Sequence, residues 1–296
     1  MPTNSDGGFA SVMERIVDLA EDVATDGQAR RGAVSGIGVA LAGNLDSRQG
    51  LCRFSPNLPD WRDVDVAGPL TKRFGVPVRM CNDANCAALA EHRFGAGRGT
   101  TNMAMLTLGT GVGGGVIVDG RLKIGPREGM GEFGHIIVDP DGPECGCGNQ
   151  GCLEAFCGAA GIARAARQLL QQGRDSAILD LAGDDILAIT PRVVSDAAAQ
   201  GDAVAIEVFE RIGNLLGIGV TSLAMVLDPD AVIIGGQIAQ AGEPLFAPIR
   251  RTARVRARMI PFDADCIVPA ALGGDAGALG AIALFGDDDL PEIQPS

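Results

Sequence analysis

An α/β chain folded as two lobes is what these 296 residues encode, and three observations carry that expectation. A 46% apolar content at this length suffices for one large core or two smaller ones, and chains of this size tend to divide. Apolar runs that end in polar residues and lead into helical spacing recur before residue 98, the pattern of a parallel sheet. Beyond it, closely spaced hairpins take over before helices return. The boundary is set there, with a small α/β lobe over 1–98 and a larger one over 99–296, the last helix able to pack back on the first lobe.

Phe9, Val12, Met13, Ile16, Ala20 and Val23 recur at helical spacing, so the chain opens with an amphipathic helix. A buried strand over Ile37–Ala42 ends in Gly43-Asn44-Leu45-Asp46, and a second over Val76–Cys81 ends in Asn82-Asp83 and a helix through about Phe94. Between them lies the loop Ser55–Trp61. No hairpin is expected in this lobe. After residue 102 the pattern reads strand 103–108, glycine turn 109–115, strand 116–118, the turn Asp119-Gly120 and strand 121–124. Helices are expected near 159–172, 191–200 and 202–227, a strand over 231–234 before Gly235-Gly236, a helix from about Pro244, a strand around 264–268 and a closing helix after Gly274. Residues 1–8 and 286–296 read as frayed tails.

A formal charge of −13 opposes a nucleic-acid surface, because phosphate backbones are held by clustered Lys and Arg. With no tyrosine and one tryptophan there is no platform for stacking bases. No apolar run is long enough to span a bilayer and no signal peptide is evident, so the chain reads as cytoplasmic with no membrane partner. In a reducing compartment, clustered cysteines are metal ligands before they are disulfides. Cys52, Cys81, Cys86, Cys157 and Cys266 are scattered and read as small buried hydrophobes. Cys145, Cys147 and Cys152 are not scattered, and His135 precedes them. Three thiols and an imidazole suit tetrahedral zinc, and four protein ligands make the ion structural.

The run Leu106 to Gly115 could pass for a dinucleotide fingerprint, but a β-branched strand follows where that motif opens a helix. Its five glycines exceed the two a tight hairpin needs, so its amides, with the Thr107 and Thr110 hydroxyls, are read as a phosphate cradle. Asp83 ends a strand and starts a helix beside Asn82. With Glu132, His135 and Glu154 these groups suit a polyhydroxylated neutral substrate meeting a nucleotide, one carboxylate serving as general base. His92 sits mid-helix among charged residues and is expected to face solvent.

From Phe9 to Phe285 the sequence resembles the ROK family (repressors, open reading frames and sugar kinases), in particular its bacterial glucokinase branch. The resemblance rests on Cys-Gly-Cys-Gly-Asn-Gln-Gly-Cys-Leu-Glu at 145–154, Gly131-Glu-Phe-Gly-His135, the phosphate hairpin 106–115, Val232–Gly236 and the loop Ser55–Trp61. It implies an actin-like, ribonuclease-H-like two-lobed fold that phosphorylates a hexose at its 6-hydroxyl with ATP and Mg²⁺. Glucose is the first expectation, with mannose, N-acetylated hexosamines and polyphosphate as the open alternatives for acceptor and donor. By position, Asp83 is the implied base, and Asn82, Glu132, His135, Glu154, Gly43 and Asn57 hold the sugar. Thr107, Gly109, Thr110, Gly111, Gly113 and Gly114 meet the phosphates, and Gly235 and Gly236 the adenosine. His135, Cys145, Cys147 and Cys152 ligate the structural zinc. A homodimer or higher homo-oligomer is the default assembly.

Two departures accompany the resemblance. Asn44 stands where the family usually has proline. The family's opening Asp-x-Gly-Gly-Thr strands are absent from the sequence, so the first lobe is expected to lack three strands, to expose an unpaired edge and to be weak. Pro2-Thr3-Asn4 resembles the family's link from third strand to first helix, and Met1 is accordingly read as an internal start. A competing expectation from another class is a non-catalytic sugar-binding ROK protein, or a relic that has lost phosphate binding.

Overall fold

In the computed structural model, residues 7–31, 33–58, 60–286 and 290–294 are described. Helix α1 (Gly8–Arg31) lays Val12 and Met13 against a core centred on Trp61, with the Phe9 ring edge-on to the indole at 5.2 Å. Val23, expected on that face, is exposed, whereas Ala20 still packs on the core and Glu21 pairs with Arg73 of the next helix. Strand β1 (Ile37–Leu41) is followed by β2 (Asn44–Asp46), β3 (Leu51–Phe54) and β4 (Arg62–Asp65), which form an antiparallel sheet in the order β2-β3-β4. The expectation of a hairpin-free first lobe is thus corrected. These strands are three or four residues long and carry charges, too short to display a period of two. Arg53 ties them together, donating to Asp46 at 2.6 Å and Asp63 at 2.9 Å.

Helix α2 (Ala67–Phe74) leads to β5 (Val78–Asn82), which pairs parallel with β1 from Ile37↔Val78 to Leu41↔Asn82. The other edge of β5 is met by the C-terminal segment, where Val78 and Ile293 exchange two backbone hydrogen bonds of 2.9 Å and Arg79 holds Glu292. That tail was expected to fray. Leu290, buried against the core, and Pro291, with its fixed φ, hold it extended instead. The outer edge of β1 pairs with no strand among the described residues, and every residue of β1 is half-exposed.

Helix α3 (Asp83–Phe94) joins the lobes. Its far side packs on a five-stranded sheet in the order β10-β9-β6-β7-β8, made of β6 (Met103–Leu108), β7 (Val112–Val118), β8 (Arg121–Lys123), β9 (Ala231–Gly235) and β10 (Ile267–Pro269). β6, β9 and β10 are parallel, and β7 and β8 antiparallel. Period-two alternation sends Ala104, Leu106 and Leu108 to one face and Met103 and Met105 to the other. The first face carries α4 (Leu153–Cys157), α5 (Ala159–Leu170), α6 (Ala177–Leu181), α7 (Pro191–Ala199), α8 (Ala203–Leu227) and α9 (Glu243–Arg256). The second carries α3 and the last helix, α10 (Ala276–Ala283), which also reaches β1. Glycines make that reach possible: a Cβ on Gly280 would stand 1.9 Å from the Cys86 carbonyl oxygen, and one on Gly38 2.0 Å from that of Ala281.

His92 is also corrected. It lies in the last turn of α3, half-buried, with Nε2 3.0 Å from the Thr100 carbonyl. Residues 1–6, on which the expectation about Pro2-Thr3-Asn4 rests, lie outside the described residues.

Candidate active site

A cleft of about 730 Å³ opens beyond the carboxyl ends of the parallel strands. Gly43 follows β1, Asp83 follows β5, Gly109 follows β6 and Gly236 follows β9, and all four line it. At Gly43 the backbone has φ +133°, and a Cβ would meet the Phe54 carbonyl oxygen at 2.3 Å, so only glycine fits this turn. Asn44, the departure from the family's proline, begins β2 opposite Phe54.

Asn82, not Asp83, caps α3. Its Oδ1 accepts from the amides of Ala84 at 2.9 Å and Asn85 at 3.4 Å, and its Nδ2 donates to the Gly43 carbonyl at 3.2 Å. One Nδ2 proton is left for the cleft. Relieved of capping, the Asp83 carboxylate projects into the opening. Water reaches it from the cleft, yet the walls enclose it enough that desolvation raises its pKa above the ordinary aspartate value, while the Ala84 amide at 3.0 Å opposes part of that rise.

The opposite wall is built around the cysteine cluster. His135 ends a single 3₁₀ turn, Phe133–His135, that begins after Glu132. Its Nδ1 lies 3.7 Å from Cys145 Sγ, and its Nε2 points the other way, 3.8 Å from Glu132 Oε2. Cys147 and Cys152 sulfurs are 3.8 Å apart, and the four prospective ligand atoms all lie within 4.8 Å of one another. A tetrahedron with Zn–S bonds of about 2.3 Å requires sulfurs about 3.8 Å apart, so this donor set fits zinc. Gly148 at φ +90° lets the knuckle turn, and Gly151 touches the Asp139 carbonyl so closely that no side chain could replace its hydrogen. Burial pushes the Cys145 thiol up to about 12 and raises that of Cys152, while the Asn149 amide lowers that of Cys147. A dication at this point would discharge those protons.

Glu154, in the first turn of α4, ties the cluster to the hairpin. Its Oε2 accepts from the Val112 amide at 2.9 Å, and Oε1 stands 3.6 Å from the Cys145 sulfur. The hairpin loop 109–111 is braced from behind, where the Ala159 amide donates to the Gly109 carbonyl at 3.0 Å. The amides of Thr110 and Gly111 meet no acceptor among the described residues and are the free donors of this loop. Thr107, Gly113 and Gly114 also line the cleft, but glycine density here has a second cause. A Cβ on Gly113 would meet Ala84, one on Gly114 would meet Phe133, and one on Gly115 would meet Ala88. These three glycines let α3 and the Glu132 turn approach β7.

Gly236, at φ +89°, presses against the Leu108 carbonyl. Gly235 is buried between Ala270 and Met105 and is not among the residues lining the cleft. Asn57 is exposed on the loop at the cleft rim. Sequence reasoning missed Arg164, the one Lys or Arg among the lining residues, together with Gln237 and the start of α5 at Gly158–Gly161. The small-residue run Gly158-Ala-Ala-Gly161 was a usable signal of close approach. Arg164 carried none, since its neighbours Arg167 and Arg174 look the same in sequence.

A sequence model described as the ROK family matches residues 10–288. A glucokinase of Thermotoga maritima is 39% identical over 95% of this chain and 86% of its own length. Among solved structures, a ROK family glucokinase from Streptomyces griseus in complex with glucose and AMPPNP superimposes with a TM-score of 0.78 at 38% identity, over 92% of this chain and 87% of that one. A ROK hexokinase from Thermus thermophilus gives a TM-score of 0.77 at 34% identity, over 95% and 87%.

Proposed function

The chain belongs to the ROK family, and from that premise we propose that it is a glucokinase, transferring the γ-phosphoryl group of ATP to the 6-hydroxyl of glucose. The observation that carries this reading is the placement of Asp83. A carboxylate whose pKa is raised by partial desolvation stands at the tip of β5, facing a hairpin with free amides on one side and a zinc-suited wall of hydroxyl acceptors on the other.

In this mechanism the lobes, 1–98 and 99–296, enclose the sugar. The remaining Nδ2 proton of Asn82, the Glu132 carboxylate and His135 Nε2 meet the ring hydroxyls, with Glu154, Asn57 and the Gly43 main chain completing the set. Asp83 accepts the 6-hydroxyl proton as that oxygen attacks the γ-phosphorus and the bond to the β-phosphate bridging oxygen breaks. Phosphoryl transfer asks for alignment and charge neutralisation more than covalent help. The Thr110 and Gly111 amides, the N-terminus of α5 and the Arg164 guanidinium supply positive potential from the protein. Mg²⁺ arrives with the nucleotide as part of the substrate and neutralises phosphate oxygens. His135, Cys145, Cys147 and Cys152 would hold a zinc ion, which would supply rigidity to this wall, and His135 would then keep Nε2 turned to the sugar.

A coupled assay of ADP release across glucose, mannose and N-acetylated hexosamines tests the proposal. Turnover highest with glucose and dependent on ATP is the expected result. Absence of turnover with every hexose and every phosphoryl donor would overturn it.

A further inference from the structure

We propose that Glu128 and Ser47 form a latch between the lobes that positions the sugar-binding turn at Glu132, and that Glu128 is a positioning residue for hexose affinity. The proposal rests on the kinase reading above and deepens it.

Glu128 Oε1 accepts two hydrogen bonds from a single residue 81 positions earlier, from the Ser47 amide at 2.9 Å and the Ser47 hydroxyl at 2.7 Å. Ser47 is 1% exposed in the turn between β2 and β3, so its two donors are enclosed and Glu128 is their partner. Glu128 itself adopts φ +54°, a left-handed conformation that disfavours any side chain with a Cβ. Two bonds to one charged oxygen are the kind of interaction that holds such strain in place.

The strained residue sits at the tip of a short closed loop. Met130 N donates to the Ile124 carbonyl at 3.1 Å across the loop's base, and Glu128 N donates to the Gly125 carbonyl at 3.2 Å. Immediately afterwards, Gly131 at φ +96° wedges against Gly114, and the Glu132–His135 turn follows. Met130 and Glu132 line the cleft. The loop is thus fixed at its base by β8, at its exit by β7 and at its tip by the first lobe. Removing the tip contact leaves Glu132 on a loop free to move with respect to Asp83, which belongs to the other wall. Such freedom costs affinity for a hydroxylated ligand through ordering on binding, and leaves the proton-transfer geometry of a bound sugar largely intact.

Glu128→Gly deletes the carboxylate and relieves the left-handed strain together, whereas Glu128→Gln keeps an oxygen able to accept both Ser47 bonds. Hydrogen–deuterium exchange of the peptides spanning 124–135, measured on the sugar-free full chain, should show faster exchange in Glu128→Gly and wild-type exchange in Glu128→Gln. In steady-state kinetics, Glu128→Gly should raise KM for glucose about tenfold with kcat changed less than threefold, and Glu128→Gln should stay within about twofold of wild type in both. Unchanged exchange and KM in Glu128→Gly, or a loss equal in Glu128→Gln, overturns the latch. If the wild-type chain turns over no hexose, the kinase reading fails while the exchange comparison still decides the latch.

Discussion

Asp83 shows how a single side chain acquires a task from its neighbour. Asn82 takes the capping duty, and the aspartate is left pointing into an enclosed cleft where desolvation raises its pKa. Replacing it with asparagine should lower kcat by about 10² to 10⁴-fold, the range of a lost general base. The wild-type rate should fall as pH drops through the folded pKa of Asp83, which lies above the ordinary aspartate value, and a pH profile of the asparagine variant should lack that limb. Stability responds in the opposite sense. A carboxyl whose folded pKa is raised binds its proton more tightly in the native state, so stability declines as pH rises through the window between the unfolded and folded values and stays lower at neutral pH. Asp83→Asn should therefore melt higher at pH 7 while losing most of its activity, a pairing that calorimetry and the kinase assay can check on one preparation. Asp83 and its strand tip were legible in sequence because a strand end followed by a helix start is a local pattern. The capping role of Asn82 was not, since either residue could have filled it.

At the level of elements, the knuckle 145–152 and the turn 133–135 bring four zinc-suited side chains to one point. Cys147 is the exposed one of the four, so its replacement by serine disturbs no packed core. Cys147→Ser should reduce zinc content from about one ion per chain, measured by atomic absorption, and raise KM for glucose more than it lowers kcat. Full zinc occupancy with weakened sugar binding, or lost zinc with unchanged KM, would separate the ion from the site. The hairpin shows a different lesson. Its glycines read as phosphate ligands in sequence, yet Gly113, Gly114 and Gly115 are fixed by the atoms of Ala84, Phe133 and Ala88. Those atoms belong to other elements, and no spacing within the hairpin announces them.

Across the whole molecule, α3 and α10 form the joint. α3 carries Asp83 at one end and, two turns on, the fully buried Glu91, whose carboxylate accepts from the amides of Ala96, Ala271 and Leu272. That clamp fixes the entry to α10, and Gly280 then lets the helices touch backbone to backbone. Gly280→Ala places a methyl group against the Cys86 main chain, which cannot swing aside. A loss of about 2 kcal/mol or more is expected, read from the urea midpoint, with a comparable change at the half-buried Gly277, where a Cβ would meet no atom, costing nothing measurable. The thin β1–β5 sheet owes the cover of its β5 edge to the C-terminal segment, whose Ile293 bridges Val78 from 215 residues away in sequence.

By itself the sequence determined the chain order of the five strands of the larger sheet, the four zinc-suited residues, the hairpin and the placement of Asp83, because each is a matter of residue type and spacing over a few turns of chain; the short charged strands β2, β3 and β4 escaped it. The tertiary structure alone decided which glycines serve packing, that Glu154 spends one oxygen on Val112, that Arg164 enters the cleft and that Ser47 grips Glu128. Those facts depend on which distant atoms come within a few ångströms of one another, and close approach between elements leaves no period along the chain to read.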